Sequence, residues 1–159
     1  MIQRIQSIFL FLVAVAMVLV VVFPIWKQVD PTTSQEHVLN AWAIESYAAD
    51  DPAVVSSTSH IYIGLAAILA GILAIFSLSQ YKNRGKQMMI NMINSLVMAI
   101  MLGATVYITY KVNVNFGVQT NGEYQLGFWG IFGGMAANLL ANRFIRKDEM
   151  LVRSVDRLR

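Results

Sequence analysis

The chain reads as an all-α membrane protein: a four-helix transmembrane bundle, both termini cytoplasmic, with a small extracytoplasmic cap of β character. Three observations predict this. Of 159 residues, 57% are hydrophobic and 13% charged, against roughly 25% charged in a soluble domain. A chain this small could not bury so much apolar surface in water. The apolar residues also gather into four runs, and the basic residues fall almost wholly on alternate segments between them. Length places everything in a single integral domain, 1–159.

The first run carries only Arg4 ahead of it, has no polar residue from Ile8 to Phe23, and closes at Pro24-Ile25-Trp26. A span of about 5–26 has the rise to cross a hydrocarbon core of ~30 Å. Ala14-Val15-Ala16 resembles a signal-peptide cleavage site. Cleavage there would leave a chain opening inside Met17 to Val22, so an uncleaved helix is expected.

The outer loop 27–59, with Pro31, Pro52 and the Ser56–Ser59 cluster, is too long for a plain turn and should hold structure of its own. Within it Asn40, Trp42 and Ile44 alternate with alanine and leucine positions, which leans Glu36 to Tyr47 toward a strand rather than a short helix. A second span follows at 60–79, where Ala67 with Gly71 and Ala70 with Ala74 allow close helix approach. Ser79 to Lys86 is a tight basic loop. The third span, 88–110, carries Asn91, Asn94 and Ser95 on one face and Ala99 with Gly103 further along.

The second outer loop, 111–125, changes period. Val112, Val114, Phe116 and Val118 alternate with Lys111, Asn113, Asn115 and Gln119, and Asn121-Gly122 suits a type I′ turn. With Tyr124 and Leu126 returning, the pattern predicts a hairpin, and a lone hairpin is marginal in water. It is therefore expected to pair with Glu36–Tyr47. The fourth span, 124–145, puts Gly130, Gly134, Asn138 and Asn142 on one face, and a charged tail, 146–159, completes the chain.

Orientation follows from charge. Termini and central loop together hold ten basic residues against Asp148, Glu149 and Asp156; the outer loops hold Lys27 and Lys111 against six acids. Positive segments stay inside.

Three stretches then become familiar. Met1-Ile-Gln-Arg-Ile-Gln-Ser7, Tyr81-Lys-Asn-Arg84 with Gln87-Met88, and Ala141 to Arg159 resemble a domain-of-unknown-function family of small four-span inner-membrane proteins of Bacteroidota. The resemblance implies a bacterial inner membrane and four helices, and no reaction.

Chemistry is sparse. Only His37 and His60 can act as acid or base near neutrality, with no nucleophile motif beside either. Their spacing with Glu36 or Asp30 matches no zinc pattern. No enzyme, metal or cofactor is expected, and nothing suggests a nucleic-acid surface. Span centres lack Asp, Glu, Lys and Arg, leaving Asn91, Asn94, Ser95, Thr105, Thr109 and Asn138 as intramembrane polar groups. Gly71, Gly103, Gly130, Gly134 and Asn138 are expected to serve helix packing, the glycine face of the fourth span meeting the second or third helix. Trp26, Trp42, Trp129, Tyr62 and Tyr110 fall near boundaries, as an aromatic belt would. In the tail, Arg143, Arg146, Lys147, Asp148, Glu149, Arg153, Asp156, Arg157 and Arg159 mix signs. That mixture suits lipid headgroups, ion pairs to Lys82, Arg84 and Lys86, or another membrane protein. The expected function is a non-enzymatic accessory or scaffold subunit of a membrane complex; the alternative is a small transporter or lipid-binding protein using Asn91, Asn94, Ser95 and Asn138.

Overall fold

The computed structural model describes residues 2–31, 33–48, 53–81, 83–116 and 122–156. Four helices pack together: α1 (Ile2–Val22), α2 (Ile61–Ser79), α3 (Arg84–Phe116) and α4 (Leu126–Asp156). Helix α1 packs against α2 and α4, and α3 packs against the same two, so the helices form a closed square. Strands β1 (Trp26–Val29), β2 (Glu36–Leu39), β3 (Ala43–Tyr47) and β4 (Val54–Ser59) lie between α1 and α2, and β5 (Glu123–Tyr124) between α3 and α4. They make one antiparallel sheet in the order β4-β3-β2-β1-β5.

The bundle is apolar outside and partly polar inside. Phe11, Val18, Leu65, Ile72, Leu96 and Ile100 are exposed, whereas Gln6, Asn91, Asn94, Thr105 and Asn138 are buried. Water would not tolerate such a surface, but lipid would. Ile5–Val22, Ile61–Ser79 and Arg84–Val114 are each long and apolar enough to cross a membrane. These three helices mark a multi-pass membrane protein. Helix α4 is long but less apolar overall, because its last half carries the charged residues from Arg143 to Asp156 and Asn138, Asn142 and its glycines dilute the first half.

Several expectations need correction. The first helix stops at Val22, not at Trp26, and Trp26 is 1% exposed in β1 rather than at a headgroup boundary. Proline ends the helix, and the sheet then covers the indole. The basic loop is shorter than expected, since α3 resumes at Arg84. The hairpin at Lys111 to Gln125 does not form: Lys111 to Phe116 continue α3, and residues 117–121 lie outside the described part of the chain. Alternating valines cost a helix only a few tenths of a kcal/mol each. Continued hydrogen bonding, Val112 packing on the core and Lys111 lying 5.5 Å from the Tyr107 ring centroid outweigh that. What survives of the hairpin is β5, which pairs with β1 (Trp26 opposite Tyr124) and not with the 36–47 segment. That segment is itself two strands, β2 and β3, paired with each other.

Short backbone bonds lock the sheet to the helix ends. Ile25 N–H donates to Leu39 O, Gln125 N–H to Ile25 O and Gly127 N–H to Pro24 O. On the other side, His60 N–H donates to Trp42 O and Gly64 N–H to Ala41 O. The sheet thus caps one end of the bundle, opposite the Arg84 end of α3.

Candidate functional site

Among the described residues, three places gather polar chemistry, one at each end and one inside. At the sheet end, a cavity of about 400 Å³ lies between β2–β4 and the ends of α2 and α3. His37, Ser46, Thr58, His60, Tyr62 and Lys111 line it, so the fold brings together two histidines that lie 23 positions apart in the chain. His37 Nδ1 is 2.8 Å from Ser46 Oγ, and His60 Nδ1 is 2.9 Å from the Tyr62 hydroxyl. Burial pushes the pKa of both rings down; for His37 the nearby Asp30 carboxylate opposes this more weakly. Both shifts favour the neutral imidazole. Of the carboxylates that might have joined them, Glu36 is tied to Lys27 at 2.9 Å, and among the described residues no three His, Asp or Glu converge on a metal position.

The second place is inside the bundle. Asn138 Nδ2 donates to Asn91 O and to Ser95 Oγ, both at 2.8 Å, joining α4 to α3. Gln6, Ser77, Gln87, Asn91 and Asn94 surround the same half of the bundle at 0–1% exposure. Side-chain polar atoms of these residues, and Asn138 Oδ1, have no protein partner. Spacing had singled out Asn91, Asn94, Ser95 and Asn138. Gln6 and Gln87 were missed because each lies at a helix end, where sequence gives no sign of burial.

The glycines expected to pack do so unequally. A Cβ at Gly130 would sit 3.1 Å from Ala16 O, and one at Gly134 2.8 Å from Met17 Cε. The partner of this face is α1, not α2 or α3, and α1 with α4 is the most extensive helix contact in the molecule. A Cβ at Gly71 would sit 3.5 Å from Met17 Cβ, whereas one at Gly103 would meet nothing within 4 Å, and Gly103 points outward.

The third place is the basic end. Arg84 Nη2 lies 2.9 Å from Asp148 Oδ2, and its Nη1 donates to Asp148 O at 3.1 Å. This couples the start of α3 to α4. Beside it, a cavity of about 750 Å³ between α3 and α4 is lined by Met88 and Met92 of α3 and by Leu140, Arg143, Arg146 and Lys147 of α4. Glu149 follows, half-buried. Arg157 and Arg159 lie outside the described residues, as do the side chains of Arg153 and Asp156 and the loop residue Lys82.

Compared with protein families, residues 2–158 match the domain of unknown function DUF4293. The chain belongs to this family. The match spans nearly the whole chain, including the start, central loop and tail that carried the resemblance. No curated protein matches the chain. In this DUF4293 protein the two polar cavities described above and the amide interior are therefore the features from which a function is argued.

Proposed function

We propose that the chain is a four-span protein of the bacterial inner membrane, both termini cytoplasmic and the sheet extracytoplasmic, acting as a non-enzymatic accessory or scaffold subunit of a membrane complex. The observation that carries the reading is α4. It is one continuous helix whose inner stripe (Gly127, Gly130, Gly134, Asn138, Ala141) is buried while Leu126, Trp129, Phe132 and Leu139 face outward. The outward stripe is what lipid requires, so the helix can span despite its buried amides. Beyond Asp148 it runs on to Asp156, which at 1.5 Å per residue carries it ~12 Å past the level of Arg84. A rigid arm of mixed charge, clamped to the bundle by Arg84, is suited to holding a second protein at the membrane surface. Purification of the tagged protein in mild detergent, with cross-linking beforehand, should recover a stoichiometric membrane partner that is lost when residues 149–159 are removed. Repeated recovery of the bare chain would sink the proposal.

A second reading, a lipid-binding membrane protein, is favoured by the cavity between α3 and α4. Transport through the amide interior is less favoured: Asn91, Asn94 and Asn138 are wholly closed off, and no ionisable group lies among them.

A further inference from the structure

We propose that the groove between α3 and α4 at the basic end binds one anionic phospholipid. Arg143, Arg146 and Lys147 hold its phosphate, and an acyl chain lies along Met88, Met92 and Leu140. This deepens the lipid-binding reading and rests on the membrane location proposed above; it does not depend on a protein partner.

The argument starts from spacing. Arg143, Arg146 and Lys147 sit at i, i+3 and i+4, so they share one face of α4, with Leu140 a turn before and Met150 a turn after. Opposite them, Met88 and Met92 are one turn apart on α3. The lining of this cavity, about 750 Å³, therefore divides between apolar side chains, Met88, Met92 and Leu140 among them, and the three cations. That division matches a phospholipid, and basic pockets between helices at this depth suit anionic headgroups.

Charge balance supports an anion. The acid nearest the three cations in sequence is Asp148, and its carboxylate is taken by Arg84 at 2.9 Å. Among the described residues none of the three cations has an acidic partner. Asn142 adds a further observation. It lines the same cavity, and its Oδ1 is buried without a hydrogen-bond partner. Turned toward the cavity, this carbonyl oxygen would accept from a hydroxylated headgroup such as glycerol. Free phosphate is the poorer occupant, because the three cations are exposed and screened by salt, whereas a lipid also fills the apolar floor.

The test uses the full chain purified in mild detergent, with lipid retention followed by native mass spectrometry. Phosphatidylglycerol should be retained about tenfold or more over phosphatidylcholine. The R143Q/R146Q/K147Q variant should erase that preference, and L140W should lower retention of both lipids by blocking the floor. K86Q, an exposed cation outside the groove, should change neither. Equal retention of the two lipids, an equal loss in K86Q, or displacement of phosphatidylglycerol by millimolar inorganic phosphate would each overturn the proposal. Should the triple variant not fold, the unaltered protein decides. Its preference must fall toward unity as salt rises from about 0.05 to about 1 M, and a salt-independent ratio overturns it. A chain that recovers a protein partner yet shows no lipid preference loses this proposal alone, and the converse result loses only the scaffold.

Discussion

Single positions differ sharply in what they tolerate, and the glycines of α4 make the contrast measurable. A Cβ at Gly127 would lie 2.8 Å from both Phe23 O and Pro24 O, backbone atoms that the sheet holds in place. Gly127→Ala should therefore cost on the order of 1–3 kcal/mol and lower the thermal midpoint in detergent. Gly133→Ala meets nothing within 4 Å and should be neutral or gain up to about 1 kcal/mol from helix propensity. A similar loss in both would contradict the packing described. The histidines give a prediction of a different kind. Both folded-state pKa values lie below the ordinary 6.5, so below about pH 6.5 the unfolded chain binds more protons than the folded one. Stability contributed by the neutral rings is full above that pH and is lost as pH falls toward the folded values. Amide exchange of the sheet should quicken as pH drops through this window, after correction for intrinsic rates. His37→Gln should flatten the dependence. Sequence could name both histidines, but not their shared cavity.

Among the elements, the basic end of the bundle is closed by a pair that bridges α3 and α4. The Arg84 and Asp148 side chains are 21% and 13% exposed, so the pair is less screened than a surface bridge. A double-mutant cycle on Arg84→Gln and Asp148→Asn should give a coupling of about 1 kcal/mol, read from thermal unfolding in detergent. Zero coupling would mean that α4 is held by its apolar seam with α1 and by the Asn138 bonds to α3, without help from this pair. The charge pattern made this pair one of several possible outcomes for the tail, since Asp148 could equally have served a partner. Strand order was less legible. Two valines alternating with polar residues suit either a strand or an exposed helix turn, and the choice at Lys111 to Phe116 depended on α3 already being formed beneath them. Trp26 was misplaced for a related reason: an aromatic residue after a span signals an interface until a sheet is found to cover it.

For the molecule as a whole, the testable statement is its sidedness. The chain has no cysteine, so single cysteines can be introduced without removing any. Ser56→Cys, on exposed β4, and Lys86→Cys, at the start of α3, should react with a membrane-impermeant maleimide from opposite sides of intact cells, Ser56→Cys from outside. Labelling of both from one side would refute the four-span topology. Sequence anticipated the alternation of apolar runs and charge because lipid imposes both on the chain locally, run by run.

By itself the sequence determined four long helices, their approximate limits, the expected sidedness and part of the inward polar and glycine set, namely Asn91, Asn94, Asn138, Gly130 and Gly134 but not Gln6 or Gln87. Each follows from composition within a window of about twenty residues. Only the tertiary structure decided that the glycine face of α4 meets α1, that five strands from two separate loops form one sheet, and that Arg143, Arg146 and Lys147 face the methionines of α3. Those are contacts between segments distant in sequence. Helix periodicity gives the face a residue occupies but leaves its partner open until the square of helices closes.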